Sequence, residues 1–295
     1  MGYVFIGLAL FFGLTKSFCG KKASYLIKKP LDAVGVNTLR MILCFIIGII
    51  ISLNSFEGIT DKGLILSALL CGVSTACFTV SWLLALSTNA YMVVEVFVMC
   101  GITVPLVLCR IFYGEPISYV QIIAIVLLVV AVYCMCTYGK KEKIVITPKA
   151  FFLLAFSAVS SGLSDFSQKL YVKTAPQTNI SLFNLYTYLF AALVLVVSFL
   201  VFRAKTQKDQ RNVMPTIKKA FPYILIMAIC LFLYSYFKVC SAEHLDAVLI
   251  YPLSQGLAVV FTLIMSVTVF KEKINTKGLI GVILGLAAVL TINLS

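Results

Sequence analysis

Six ionisable side chains lie inside long apolar runs of this chain: Lys16, Arg40, Glu95, Asp165, Lys169 and Lys238. A charge placed in hydrocarbon costs about 2.5–3.5 kcal/mol on insertion scales, so each is a functional candidate by default. Glu95 is the sharpest case. It stands alone in NAYMVVEVFVMCGITVPLVL (89–108), with no basic residue within ten positions. On a helix, Tyr91 and Met99 share its face at i−4 and i+4. Trp82, the only tryptophan, falls late in the preceding run and approaches the same end. A carboxylate among aromatic rings attracts an organic cation through charge and ring quadrupole together. Two other roles stay open for Glu95. It pairs with an intramembrane base such as Lys16, Lys169 or Lys238, or it exchanges a proton for substrate.

Asp165 lies in SGLSDFSQKLY with Lys169 at i+4, so an intrahelical ion pair and a substrate role compete there. Ser164 and Gln168 add neutral hydrogen-bonding groups, and Lys16 offers opposite charge from the corresponding part of the first run. Arg40, near one end of the second run, is expected to snorkel and anchor rather than bind. Lys238 sits beside Glu243, His244 and Asp246, which read as a solvated interfacial cluster; no partner of the lone histidine has metal-ligand spacing. Glu115 and Glu272 occupy junctions between runs, where acids cap the amides of a following helix. No phosphate-cradling loop, metal motif or catalytic triad occurs in the sequence, so no cofactor is expected.

Those residues are positioned by elements of one kind. Of 295 residues, 61% are hydrophobic and 12% are charged, against about 25% charged in a soluble chain. The apolar residues come in blocks of roughly 20, the length that crosses a ~30 Å hydrocarbon layer as a helix. Ten such segments run approximately over 3–20, 32–53, 62–86, 90–111, 117–138, 149–171, 180–202, 219–241, 246–270 and 276–294. The first lacks the basic start and small-residue cleavage site of a signal peptide and is read as a membrane helix. The ten cysteines are scattered through apolar blocks without a C-x-x-C, and fit buried thiols at helix contacts.

An internal repeat divides the ten segments. FYGEPISYVQIIAIVLLVVAVY aligns with VFKEKINTKGLIGVILGLAAVL, matching Glu115 to Glu272, Ile117 to Ile274 and Ala131 to Ala288. GLTKSFCGK (13–21) lies beside GLSDFSQK (162–169) with one residue inserted. The halves are 1–138 and 149–295, joined by a basic loop at 139–148. Five helices is an odd number, so consecutive halves sit upside down relative to each other. The expected fold is an all-α polytopic membrane protein of ten transmembrane helices in two inverted five-helix repeats.

The G-L-x-x-x-F-x-x-K ending of the first helix, Arg40, the YGEPIS and FKEKIN junctions and the glycines Gly278, Gly281 and Gly285 resemble the drug/metabolite transporter superfamily, in its ten-helix EamA-type form. Halves of that family often carry a proline in helices four and nine; here Pro105 aligns with Thr262, and Pro252 with Glu95. The resemblance implies a secondary-active or facilitative transporter that moves a small polar metabolite by alternating access in a bacterial-type plasma membrane. It leaves open a coupling proton or an exchanged solute, and no ATPase domain is present to drive pumping. Glu95 with its aromatic neighbours tilts the substrate towards a cation or zwitterion. A flippase for a lipid-linked carrier is the alternative; a membrane-embedded enzyme lacks a catalytic constellation.

The net charge of +13 has a simpler use than nucleic acid. About 17 basic residues fall in the loops after segments one, five, seven and nine, against Lys62, Arg110 and Lys173 opposite. Basic loops face the cytoplasm, which puts both termini outside; the family resemblance implies both inside.

Overall fold

The computed structural model describes residues 2–53, 60–88, 91–114, 118–138, 147–207, 211–244, 247–271 and 276–293. Its elements are α1 (Gly2–Ser24), α2 (Pro30–Ser52), α3 (Lys62–Thr88), α4 (Tyr91–Met99), a 3-10 turn (Cys100–Ile102), α5 (Thr103–Tyr113) and α6 (Tyr119–Tyr138), followed by α7 (Pro148–Thr174), α8 (Ile180–Lys205), α9 (Met214–His244), α10 (Ala247–Thr268) and α11 (Thr276–Asn293). No strand occurs among the described residues. With α4, the turn and α5 taken as one span, the ten apolar segments become ten helical spans. Among the described residues, seven spans meet the length and hydropathy needed to cross a bilayer, Tyr91–Tyr113 being one of them. The protein is a multi-pass membrane protein.

Local chemistry fixes several ends. Pro30 starts α2 at a position where a missing N–H costs nothing. Asp32 Oδ2 then accepts from the Lys28 and Lys29 amides, both at 3.2 Å. Thr147 caps α7 by accepting from the Ala150 amide at 3.2 Å, with Pro148 following. Asn179 caps α8 through the Ser181 amide at 2.8 Å. Gly114, at φ 65°, ends α5 in the left-handed conformation that a side chain resists. Helix α1 runs past its expected end and takes Lys21 and Lys22 into its last turn, where cations suit the helix dipole.

The break in the fourth span has a backbone cause. Pro105 has no N–H to offer the Gly101 carbonyl four residues back. That carbonyl lies against Gly162 of α7, where a Cβ would collide with it, and a Cβ on Gly101 would collide with the Ala158 carbonyl. The two helices therefore touch main chain to main chain, as small residues permit in lipid.

Packing joins the first five spans to the last five. Helix α1 packs on α9 and α3 on α7; α2 packs on α8, α6 on α11 and α4 on α10. Helix α3 also meets α8, and α2 meets α9. Large apolar side chains such as Phe11, Ile111, Val129 and Phe152 point outward. An apolar surface of that extent suits lipid rather than water. Gly285 on α11 receives the Met99 side chain of α4.

Candidate functional site

A polar cavity with about 90 Å³ of room for the centres of water molecules opens between α1, α2, α3, α4, α7, α8, α9 and α10. These are spans one to four and six to nine in chain order. Spans five and ten, α6 and α11, pack on each other and contribute no lining residue among those described.

At one end Glu95 Oε1 accepts the Trp82 indole N–H at 3.0 Å and the Ser17 hydroxyl at 3.5 Å. The carboxylate is brought there by α4, whose other side chains from Tyr91 to Met99 are buried around it. Trp82 is 2% exposed and its ring is packed against Gly20 of α1. Lys16, one residue before Ser17, carries its Nζ over three rings: Tyr234 at 4.6 Å, Trp82 at 5.9 Å and Phe78 at 6.0 Å. It interacts electrostatically with both Glu95 and Asp165 but makes no ion-pair contact with either.

Beyond Lys16, Asp165 of α7 meets Lys238 of α9, Nζ to Oδ1 2.6 Å, with both side chains buried. The Lys238 ammonium also sits 5.4 Å from the centre of the Tyr234 ring. Tyr234 is thus a shared aromatic floor beneath two cations. Neutral groups knit the surrounding helices: the Thr75 and Ser164 hydroxyls are 3.2 Å apart across α3 and α7, and the Ser235 hydroxyl donates to Asn184 Oδ1 at 2.6 Å across α9 and α8. Gln168 lines the cavity with its Oε1 unpaired.

Several expectations change against this geometry. The expected pairing of Asp165 with Lys169 gives way to the tertiary pair with Lys238, because α9 places an ammonium directly across from the acid. The Lys169 Nζ instead lies 5.9 Å from the centre of the Tyr113 ring on α5. Lys238 is therefore buried at 2% exposure and is no part of a solvated interfacial cluster. Its expected companion His244 sits two turns further along, with Nδ1 3.0 Å from the Cys240 carbonyl oxygen and its ring against Phe5. The Asp246, Glu115 and Glu272 assignments lie outside the described residues, as does the Glu243 side chain. Tyr91 does not face the cavity; it is buried with its ring edge against Phe270 at 5.4 Å. Trp82, Glu95, Asp165, Gln168 and Lys16 do line it.

Arg40 departs most. It does not snorkel: it is 1% exposed and lines the cavity. Helix α2 starts at Pro30, which places Arg40 ten residues in, about 15 Å along the axis at 1.5 Å per residue. That is the middle of a ~30 Å hydrocarbon layer. The Pro30 and Asp32 start signal was the clue in the sequence to this depth.

A separate apolar groove of about 580 Å³ lies between α2, α8 and α9, lined by Leu39, Ile42, Phe199, Ile217 and Phe221 with Lys218 alongside. It shares no lining residue with the polar cavity.

Comparison with known proteins bears on the fold and on the second half of the chain. A solved crystal structure superposes with a TM-score of 0.65, covering 99% of this chain and 97% of its own, at 12% sequence identity. At that identity the likeness speaks to the fold alone. No curated protein matches the sequence. The profile of the EamA-like transporter family matches residues 148–294, the run from α7 to α11. With eight helices of the bundle lining one buried cavity and that match over residues 148–294, the chain belongs to the EamA-like transporter family, part of the drug/metabolite transporter superfamily.

Proposed function

We propose that this transporter moves a small polar solute through the cavity by alternating access between two inverted five-helix halves, residues 1–138 and 149–295. The observation that carries the proposal is the cavity itself. It is ringed by four spans of each half, lined with hydroxyl-bearing side chains among apolar ones, and furnished with charges that are costly to bury unless used. The helix pairing supports two equivalent halves, and an odd number of spans in each then implies the inversion. Exchanging the halves turns the α1–α9 contact into the α7–α3 contact and the α2–α9 contact into the α8–α3 contact, and maps α2–α8, α4–α10 and α6–α11 onto themselves. The family match, which begins at residue 148, fits a boundary in the basic loop.

Glu95 and its Trp82 neighbour are the proposed solute or proton site, and Lys16 and Asp165 complete the charged lining. Movement of a water-soluble solute is preferred over flipping of a lipid-linked carrier, since the apolar groove has no lining residue in common with the cavity that holds the charges. The test is a thermal-stability panel of amino acids, amines and nucleosides on the purified chain, followed by proteoliposome uptake of whatever stabilises it. Glu95→Gln is expected to abolish uptake of an amine-bearing solute while leaving the fold intact. Equal stabilisation of wild type and Glu95→Gln by a cation would remove Glu95 from the site, and lipid scrambling without solute uptake would replace the proposal.

The excess of basic residues in the loops after spans one, five, seven and nine supports an orientation with both termini outside a plasma membrane. A reporter fused after Ser295 that is active only in the cytoplasm should then stay silent; activity reverses the orientation.

A further inference from the structure

We infer that Arg40 forms an anion subsite in the cavity, so that the transported solute carries a carboxylate as well as any amine held by Glu95. The inference rests on the solute-transport reading above and narrows its substrate class.

The first observation is charge. Among the described residues, the formally charged side chains of the cavity and their direct partner are Lys16, Arg40, Lys238, Glu95 and Asp165. Three are cations and two are acids, so the cavity holds a formal charge of +1. Asp165 is taken by Lys238 at 2.6 Å. Glu95 interacts with Lys16, which leaves Arg40 as the cation with no acid assigned to it. The groups nearest Arg40 electrostatically are Cys44 and Tyr188, neither of them an anion at neutral pH, while Lys16 repels it.

The second observation is hydrogen bonding. Arg40 Nε and Nη1 are buried without a hydrogen-bond partner, so donors on both edges of the guanidinium are left over. Thr187, which also lines the cavity from α8, has an unpaired buried hydroxyl. Nearby in the same network, Asn184 spends its carbonyl oxygen on Ser235 and keeps Nδ2 unpaired. Buried donors in native proteins nearly always find an acceptor, and each one without costs free energy. The surplus here is of donors and of positive charge. A planar carboxylate supplies what is missing: a negative charge and two acceptor oxygens that match the guanidinium fork. An amine alone would add a second excess charge to the cavity and leave every one of these donors as it is.

The experiment compares matched probes on the full-length protein in detergent: leucine, its decarboxylated amine and its methyl ester, with the same three forms of phenylalanine and of threonine. The midpoint of thermal unfolding is followed against probe concentration. At least one amino acid should stabilise the wild type at a concentration roughly 30-fold or more below its amine or ester, the ratio expected when a buried charge loses its partner. Arg40→Gln should erase that ratio without weakening amine binding, and Arg40→Lys should restore part of it, since an ammonium supplies charge without the fork. If the wild type binds amine and amino acid equally, Arg40 is hydrated and structural, and this inference fails while solute binding stands. If no probe shifts the wild type but uptake assays find another solute class without an anionic group, the inference fails in the same way. If no water-soluble solute binds or moves at all, the reading beneath it falls too. The wild-type comparison decides the matter even where an Arg40 variant does not fold.

Discussion

Glu95 rests against an indole N–H at 3.0 Å and a hydroxyl at 3.5 Å, whereas Asp165 meets an ammonium at 2.6 Å. Both acids line one cavity, on α4 of the first half and α7 of the second. The protein supplies Asp165 with its own counter-ion and supplies Glu95 only with neutral donors in direct contact. A carboxylate that already holds a cation has little to offer a solute. One held by neutral dipoles has no counter-ion in direct contact to displace, while Lys16 stands off over the Tyr234 ring. Arg40 is the cationic counterpart of Glu95: buried, lining the same space and short of partners. On the proposed function, pairing separates a group that holds the bundle together from those proposed to meet the solute.

The comparison breaks most visibly at Asp165. Replacing it with Asn, or Lys238 with Met, strands one buried charge and should cost about 3–5 kcal/mol of stability. The double variant Asp165→Asn/Lys238→Met should recover much of that loss, because the pair and a neutral substitute are nearly equivalent energetically. Thermal unfolding of the three variants checks this. Failure of the double variant to recover would mean the pair is not a self-contained unit. A smaller effect is expected for Trp82→Phe, which removes the indole donor to Glu95. The lost charge-assisted bond is worth about 1.5–3 kcal/mol, partly replaced by water in the cavity. Its signature is a weakened affinity for amine-bearing solutes at modest cost in melting temperature, a split that a purely structural tryptophan would not produce.

The spans were legible in the sequence because a 20-residue apolar block has few other uses, and the ends of α2, α7 and α8 carry ordinary capping residues at Asp32, Thr147 and Asn179. The break at Cys100–Ile102 was hidden within one continuous apolar run, although Pro105 marks the carbonyl that it frees. The site was legible by residue type and not by pairing. Helical spacing joins Asp165 to Lys169 on paper, but a tertiary neighbour at position 238 wins because it reaches the acid from across the cavity. Tyr234, beneath two ammonium groups, gave no signal at all: an aromatic residue in an apolar span reads as lipid-facing or core. Arg40 was misplaced by depth alone, since a segment begun two residues late and judged from its end looks like an anchor.

The contact between Gly101 and Gly162 has a consequence for motion. Where helices interlock through side chains, sliding one past the other requires rotamers to hop, and each hop is a small barrier. Here a carbonyl rides on a bare α-carbon, and no side chain on either residue has to turn aside. The seam between the broken fourth span and α7 therefore carries little internal friction. It lies six residues beyond Glu95, so the carboxylate is mounted close to that seam.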